Sequence, residues 1–287
     1  MLPRTLLSWL ASGNEAFVAA NEDAEAPADD PGLLAAVVKP FYTGLDQIGR
    51  IVELTWQTLA WMIRPPYRLI QLLLAMDFLG VKSIFIISLT GTFSGMVLAL
   101  QTVNSLRQFS AEGVVGSIVA ISLTREISPV FAALMVTARG GSAMAAELGN
   151  MRVTEQIDAL TTMGVSPVQY LLAPRLLACV AMLPLLCILY TCVGMAGSWV
   201  VAVDWLSVDP GIFISNIEKY LMPKDLYMGA IKSLVFGFLV SAISCTQGYY
   251  ASGGAKGVGE ATTRAVVLSA VAILVTNYVL TSWLTEL

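Results

Sequence analysis

Five long apolar runs constrain the fold of this chain more than any other feature of its sequence. They are Ser83–Leu106, Val114–Ala146, Leu176–Val203, Ser233–Ala255 and Ala265–Thr285. Each run reaches the length of about 20 residues that an α-helix needs to cross the hydrocarbon of a bilayer. Only 13% of all residues are charged, whereas soluble domains carry about a quarter. The sequence therefore predicts an all-α, polytopic membrane protein with about five transmembrane helices.

The first 36 residues have a different composition. They contain six acidic residues against a single basic one, Arg4, and the stretch 19–32 is rich in alanine and proline. Such a segment lacks the apolar residues needed for a core, so residues 1–36 are predicted to form an acidic, flexible cytoplasmic tail. The run Thr5–Ala11 is too short and interrupted for a signal peptide. No cleaved signal is expected.

Residues 37–82 are predicted to form interfacial amphipathic helices. Apolar residues recur at steps of three and four from Phe41 to Ile63, which places them on one helical face. Trp56 on this face suits the headgroup boundary of a membrane, although packing against protein would give the same pattern. A second apolar piece, Leu69–Met76, is too short to cross. Residues 83–287 then form the domain with the five transmembrane helices.

Charges on the connecting segments predict the orientation of the chain. With the N-terminus in the cytoplasm, eight lysine and arginine residues flank the helices on the cytoplasmic side and four on the other. Because positive charge accumulates on cytoplasmic flanks, we expect a cytoplasmic N-terminus and a C-terminus on the opposite side.

Several functional classes find no support in the composition. The chain has no histidine, the commonest general base and metal ligand, and its four cysteines lie in apolar runs without metal-site spacing. The glycine-rich segment 253–259 lacks the Gly-Lys-Ser/Thr of a phosphate loop, and no basic patch suggests nucleic acid. We therefore expect no metal, no nucleic-acid partner and no cofactor bound by this chain.

A charged pair, Arg125-Glu126, lies inside the second apolar run. Each charge costs on the order of 2.5–3.5 kcal/mol at the centre of a membrane helix. Adjacent residues on a helix point about 100° apart, so the two do not neutralise each other. Pro129 lacks an N–H and clashes with the carbonyl four residues earlier, that of Arg125, which predicts a kinked helix with a free carbonyl. We interpret this spot as a substrate or headgroup site; a structural ion pair to another helix and a proton relay are alternatives.

The segment after this run predicts a short helix on the cytoplasmic face. Val153, Ile157 and Leu160 recur at helical spacing, Thr154 is a candidate N-cap, and Gly164 is a candidate stop. About ten residues cannot cross a membrane. The charged residues Arg152, Glu155 and Asp158 would therefore be available to a partner.

Four motifs in sequence order resemble the MlaE-type permeases, the membrane subunits of ABC transporters that work with MCE proteins on phospholipids. The strongest is LTREISPVFAALMVTARGGSAMAAELGNMRVTEQIDALTTMGV at Leu123–Val165, and the others are GVKSIFIISLTGTFSGMVLALQ (Gly80–Gln101), LLAPRLLA (Leu171–Ala178) and GYYASGGAKGVGEATTRAVV (Gly248–Val267). The resemblance covers about residues 65–287. The chain departs from the family pattern at Ile127-Ser128 and at Asn277, so residue 277 is assigned no role.

The resemblance implies a fold and a set of partners. The N-terminal amphipathic piece would be an elbow helix, and two copies of the chain would enclose a lipid cavity. A cytoplasmic ATPase dimer would bind ATP, a periplasmic MCE hexamer would receive or deliver phospholipid, and a small STAS-like protein would bind the ATPase. The protein would lie in the bacterial inner membrane, with its C-terminus in the periplasm, and would serve outer-membrane lipid homeostasis.

The resemblance also assigns roles to individual residues. Arg125 and Glu126, with Leu98 and Leu106, would bind lipid, and Pro129 would kink the helix beside them. Arg152, Glu155, Ile157 and Asp158 would belong to the helix that couples to the ATPase. This chain itself would then be a non-enzymatic permease subunit. The alternative is a secondary transporter or channel that uses the Arg-Glu pair for ions, and a membrane scaffold without transport is a third class.

Overall fold

The computed structural model describes residues 33–62 and 69–286, so the predicted tail lies mainly outside the described residues. Every regular element in these two ranges is helical, as predicted. The α-helices are α1 Leu33–Met62, α2 Leu69–Leu79, α3 Ile84–Arg107, α4 Val115–Ser122, α5 Ser128–Val136, α6 Ser142–Val153, α7 Gln156–Thr162, α8 Ala173–Trp199, α9 Pro210–Tyr220, α10 Pro223–Tyr249 and α11 Gly254–Glu286.

Short irregular turns join several of these helices into longer ones. The 3-10 turns are Val81–Ser83 and Glu112–Val114, and the π-helical turns are Leu123–Ile127, Thr137–Gly141, Val168–Leu172 and Val200–Trp205. Within the described residues, five continuous helices are long and apolar enough to cross a membrane. We call them span 1 (Leu69–Arg107), span 2 (Glu112–Val153), span 3 (Val168–Trp205), span 4 (Pro223–Tyr249) and span 5 (Gly254–Leu284). The prediction of five transmembrane helices is confirmed.

All five spans begin before the apolar runs that predicted them, and spans 1 and 4 show the reason. Span 1 includes the short piece from Leu69, because the 3-10 turn Val81–Ser83 carries the helix on into α3. Span 4 begins at Pro223, ten residues before the uncharged run that starts at Ser233. In both places charged residues lower the hydropathy, but the helical span continues through them. Hydropathy alone therefore misses the first turns of these helices.

Small residues in span 1 allow it to pack closely on span 3. A Cβ added to Gly95 would lie 1.9 Å from the carbonyl oxygen of Gly194, and one added to Gly91 would lie 2.8 Å from Cγ2 of Val193. Without a hydrophobic force between helices in lipid, such close backbone contact is a main source of association. The close contact of Gly91 and Gly95 is thus made inside this chain.

Small residues in span 4, Gly229 and Gly237, also pack closely against other spans of this chain. A Cβ on Gly229 would lie 2.6 Å from the carbonyl oxygen of Thr124 in span 2, and one on Gly237 would lie 2.9 Å from that of Cys179 in span 3. Because Thr124 precedes the charged pair, the contact at Gly229 brings the beginning of span 4 against it. Close packing at Gly229 therefore positions the beginning of span 4 beside Arg125 and Glu126.

The chain divides into two compact units, 1–49 and 50–287. In the second unit, the end of α1 buries Leu54 and Thr58, with 2% of each exposed. Val52 and Trp56, which belong to the predicted apolar face, are 62% and 73% exposed. The face that packs on protein is therefore a different one, and an exposed Trp-containing stripe suits the headgroup boundary.

Candidate functional site

The charged pair lies in a π-helical turn of span 2, Leu123–Ile127, a distortion that often marks functional sites. Pro129 follows as one of the first residues of α5. The carbonyl oxygen of Arg125, four residues before the proline, accepts a hydrogen bond of 3.0 Å from Lys232 Nζ. The carbonyl that Pro129 is predicted to free is therefore bound by a side chain from span 4, while the loss of its backbone partner and the kink angle stay predictions.

Arg125 forms an ion pair with Asp225, at the beginning of span 4. Its Nε donates to Asp225 Oδ1 at 2.6 Å, and its second terminal nitrogen lies 2.5 Å from the same oxygen. The other carboxylate oxygen of Asp225 accepts from the backbone N–H of Met222 at 2.9 Å. This contact closes the first turn of α10, where negative charge is favourable. Asp225 is fully buried, whereas the Arg125 side chain is 36% exposed.

Glu126 forms a second ion pair, with Lys232, which is also fully buried. Lys232 Nζ donates to Glu126 Oε1 at 2.7 Å, to Thr281 Oγ1 at 2.8 Å and to the Arg125 carbonyl. A lysine ammonium has three N–H donors, and these three acceptors give each donor a partner. Asn277 Nδ2 also donates to Glu126, at 3.2 Å. The carboxylate is therefore held by residues of spans 4 and 5.

These six residues form a network whose charges balance, with two cations and two anions. We call Arg125, Glu126, Asp225, Lys232, Asn277 and Thr281 the charged network. Its two span 4 members are buried, but the side chains of Arg125 and Glu126 are 36% and 39% exposed. The exposed guanidinium and carboxylate can contact a phosphate and an ammonium group respectively. Buried partners thus fix the orientation of two charged groups that remain open on one side.

The sequence analysis found two of the six members. It left Lys232 just outside the fourth apolar run, which begins at Ser233, and gave Asn277 no role. Asp225 and Thr281 were not singled out. One signal was present: Asp225 and Lys232 are seven residues apart, and Asn277 and Thr281 are four apart, spacings that place each pair on one helical face. The structural ion pair that was kept as an alternative is present in the structure.

Arg139, the other arginine of span 2, binds the break in span 1. It lies in the π-helical turn Thr137–Gly141, and its Nη1 donates to the Phe78 carbonyl at 2.6 Å and to Ser83 Oγ at 2.9 Å. Its guanidinium also lies over the Phe78 ring, at 5.2 Å. This arginine therefore satisfies a carbonyl at the end of α2, which the irregular turn leaves available.

Leu98 and Leu106, the other predicted lipid-binding residues, lie in α3. Both are half-buried and pack against the apolar core. Their role in binding lipid stays a prediction. Among the described residues, no group of histidine, cysteine, aspartate and glutamate is arranged to hold a metal ion.

The predicted coupling helix is α7, Gln156–Thr162. Arg152 Nη1 binds Asp158 Oδ1 at 2.7 Å, and both side chains are well exposed. Glu155 is also exposed, in the left-handed conformation with φ +59°. Ile157 is only 1% exposed, so it anchors α7 to the core and does not offer a surface. Thr154 is not an N-cap; it ends α6 and donates back to the Asn150 carbonyl.

Gly164 ends α7, as the sequence predicted. Its φ is +73°, and the N–H groups of Gly164 and Val165 donate to the carbonyls of Thr161 and Leu160. We expect Gly164→Ala to destabilise α7 by about 1 kcal/mol, because only glycine adopts this conformation freely. Hydrogen exchange of the α7 amides should then be about fivefold faster. Unchanged exchange would show that the turn does not limit the stability of α7.

Comparison with known proteins shows the family of this chain. Residues 72–283 match the family described as Permease MlaE. The chain belongs to the MlaE permease family. It is 42% identical over 234 residues to a probable ABC transporter permease protein of Rickettsia felis, covering 82% of this chain and 90% of the relative.

Two further relatives carry more specific names. The intermembrane phospholipid transport system permease protein MlaE of Haemophilus influenzae is 41% identical over 208 residues, covering 72% of this chain and 80% of the relative. The chloroplastic protein TRIGALACTOSYLDIACYLGLYCEROL 1 of Arabidopsis thaliana is 41% identical over 204 residues, covering 71% and 58%. The MlaE family includes permease subunits of ABC transporters, so a secondary transporter or channel is not favoured. The charged network lies wholly within the matched region.

Proposed function

We propose that this chain is the permease subunit of an ABC transporter that moves phospholipid between the bacterial inner membrane and an MCE protein, and that it serves outer-membrane lipid homeostasis. Membership of the MlaE family and the name of the Haemophilus relative support the substrate class. The chain itself hydrolyses nothing. A partner ATPase binds ATP and supplies the energy.

One observation supports a lipid-binding role for the charged network. Its two partners from span 4 are fully buried, while Arg125 and Glu126 each retain more than a third of their side-chain exposure. Charged groups at membrane depth are expensive and tend to face a cavity or a functional site. The buried partners fix the pair, and the exposed groups bind the phosphate and amine of a headgroup.

Photo-crosslinking to a phospholipid probe tests this role. In the intact complex, we expect Arg125→Ala with Glu126→Ala to reduce crosslinking to span 2 about tenfold, since two charge-assisted contacts are lost. The matched control is Arg264→Ala with Glu260→Ala, which removes an exposed ion pair of 3.0 Å elsewhere in the chain. If the first double variant crosslinks like the control, the pair does not bind headgroups.

The surface around α7 is the proposed docking site for the ATPase. Arg152, Glu155 and Asp158 are exposed there, and the buried Ile157 holds the helix in place. Because Arg152 and Asp158 bind each other, single substitutions would disturb the helix and the docking surface together. A charge exchange preserves the internal pair and changes only the surface.

We expect Arg152→Asp with Asp158→Arg to leave the chain folded and to reduce co-purification of the ATPase at least several-fold, because an interfacial charge reversal opposes complementary charges. The control exchange is Arg107→Glu with Glu112→Arg, an ion pair of 2.9 Å on a different connection. ATPase recovery at the normal yield after the first exchange would limit Arg152 and Asp158 to an intramolecular role.

The remaining assignments follow from family membership and the charge distribution. The multi-pass chain would lie in the inner membrane with its N-terminus in the cytoplasm and its C-terminus in the periplasm. Two copies would enclose the lipid cavity, with an ATPase dimer and a STAS-like protein below and an MCE hexamer above. Accessibility of single cysteines introduced at Ser252 and Ser110 to a membrane-impermeant reagent would test the orientation.

A further inference from the structure

A cavity of about 360 Å³ lies between the first part of span 1, the end of span 2 and the beginning of span 3. It shares no residue with the charged network. Its polar lining includes Gln71, Asp77, Lys82, Glu147 and Arg175, and aliphatic and aromatic side chains form the rest of the wall. All three helix ends belong to the side that we assign to the cytoplasm, so the cavity lies at the cytoplasmic leaflet.

The charges around the cavity balance, with two cations and two anions. Arg175 binds Glu147 at 2.7 Å, and the Arg175 side chain is only 16% exposed. Lys82 Nζ lies 5.4 Å over the Phe78 ring, which holds the ammonium at the cavity wall. Lys82 and Asp77 are exposed. A ligand that carries both a phosphate and an ammonium group would find an opposite charge for each.

Two buried polar atoms at this cavity have no hydrogen-bond partner among the described residues. They are Arg175 Nη1, a donor, and Gln71 Oε1, an acceptor. An unpartnered buried polar atom lowers the stability of the folded chain. A side-chain shift that opens these atoms to the cavity would let a phosphate bind the donor and an ammonium bind the acceptor, which reduces this cost.

The cavity also borders an apolar surface that suits acyl chains. Leu74 lines the cavity and is 65% exposed, and its neighbours Ile70 and Leu73 are 76% and 63% exposed. Exposed aliphatic residues on a membrane helix face hydrocarbon. A headgroup in the cavity would therefore have its acyl chains beside span 1, in the bilayer.

We propose that this cavity binds the headgroup of an amine-bearing, zwitterionic phospholipid from the cytoplasmic leaflet. The phosphate contacts Lys82 and Arg175, and the ammonium contacts Asp77 and Gln71. This is a lipid position separate from Arg125 and Glu126, and its placement at the cytoplasmic leaflet rests on the orientation in the proposed function. A phospholipid headgroup can bind in this cavity whether or not the complex transports lipid.

Crosslinking from the cavity edge tests the proposal. A photoreactive benzoylphenylalanine at position 74, in the full complex reconstituted in vesicles of phosphatidylethanolamine and phosphatidylglycerol, should crosslink to phosphatidylethanolamine. We expect Lys82→Glu to lower this yield about tenfold, because a contact with phosphate becomes a repulsion. The matched control is Lys256→Glu, an exposed lysine outside the cavity, which should leave the yield unchanged.

Two further arms separate a lipid headgroup from a free anion and from a general lipid contact. Inorganic phosphate at millimolar concentration should not reduce the crosslink, and vesicles of phosphatidylglycerol alone should give a weak one. Displacement by inorganic phosphate, equal crosslinking to both lipids, or an unchanged yield in Lys82→Glu would each overturn the proposal. A wild-type complex that forms the crosslink but shows no ATP-driven lipid transfer would instead count against the proposed function alone.

Discussion

Replacing Lys232 with alanine is expected to destabilise the chain by about 3 kcal/mol and to abolish lipid binding at the charged network. The lysine is fully buried, and its removal leaves the Arg125 carbonyl, Glu126 Oε1 and Thr281 Oγ1 without their donor. Removing one partner of a buried ion pair costs about 3–5 kcal/mol. We take the lower end because Glu126 is 39% exposed and solvent can compensate part of its charge.

The melting temperature of the purified chain in detergent measures this effect. Lys224→Ala, an exposed lysine in the first turn of the same helix, is the matched control and should melt like the wild type. Lys232→Met with Glu126→Gln removes both charges of the pair, so it should recover much of the stability but not the lipid crosslink. A Lys232→Ala variant as stable as the control would show that the ion pair does not hold span 4 against span 2.

Gly95→Ala is expected to destabilise the chain by about 3 kcal/mol by forcing spans 1 and 3 apart. The added Cβ would lie 1.9 Å from the Gly194 carbonyl oxygen and 2.6 Å from its carbonyl carbon. Overpacking costs about 1–3 kcal/mol when side chains can adjust. Here the atoms in contact belong to backbone, so no rotamer change relieves the clash, and the upper end applies.

Gly259→Ala is the matched control for this substitution, because Gly259 is also helical and a Cβ there would meet nothing within 4 Å. Alanine favours a helix over glycine by about 1 kcal/mol, so the control should be as stable as the wild type or more stable. The comparison uses the fraction of folded protein after heating, measured by size-exclusion chromatography. Equal stability of the two variants would contradict the close packing at Gly95.

The number of spans, the availability of the Arg125 carbonyl to a side-chain donor and the end of α7 at Gly164 could all be predicted from the sequence. Each depends on local properties: the length of an apolar run, the missing N–H of a proline, and the freedom of a glycine at positive φ. The packing of Gly91 and Gly95 inside the chain could be predicted only in part, since two glycines four residues apart indicate a closely packed helix but do not identify its partner.

The partners of the charged pair could not be predicted, because they are distant in sequence. Asp225 and Lys232 lie 100 and 106 residues after Arg125 and Glu126. Their charges also lowered the hydropathy at the start of span 4, so that the predicted span began after them. A charge that is paired inside the protein and one that lies in a loop look the same in a hydropathy profile. The structure distinguishes the two, because Gly229 packs on Thr124 and both Asp225 and Lys232 are fully buried.

The charged pair therefore has two aspects. Its ion pairs to span 4 are structural, and they account for how the membrane helix accommodates Arg125 and Glu126. The exposed side of the same two residues is where we propose that the headgroup binds. Structural ion pairing thus orients the binding groups and does not compete with a role in lipid binding.

Native mass spectrometry of the complex, purified through a tag on this chain, tests the central claim most directly. The account predicts two copies of the chain with an ATPase dimer, an MCE hexamer and retained phospholipid. It also predicts that Arg125→Ala with Glu126→Ala keeps the subunits and retains less phospholipid than the wild type, while Arg264→Ala with Glu260→Ala keeps the subunits and the wild-type lipid occupancy. A wild-type complex without lipid, or the same lipid occupancy in both double variants, would contradict it.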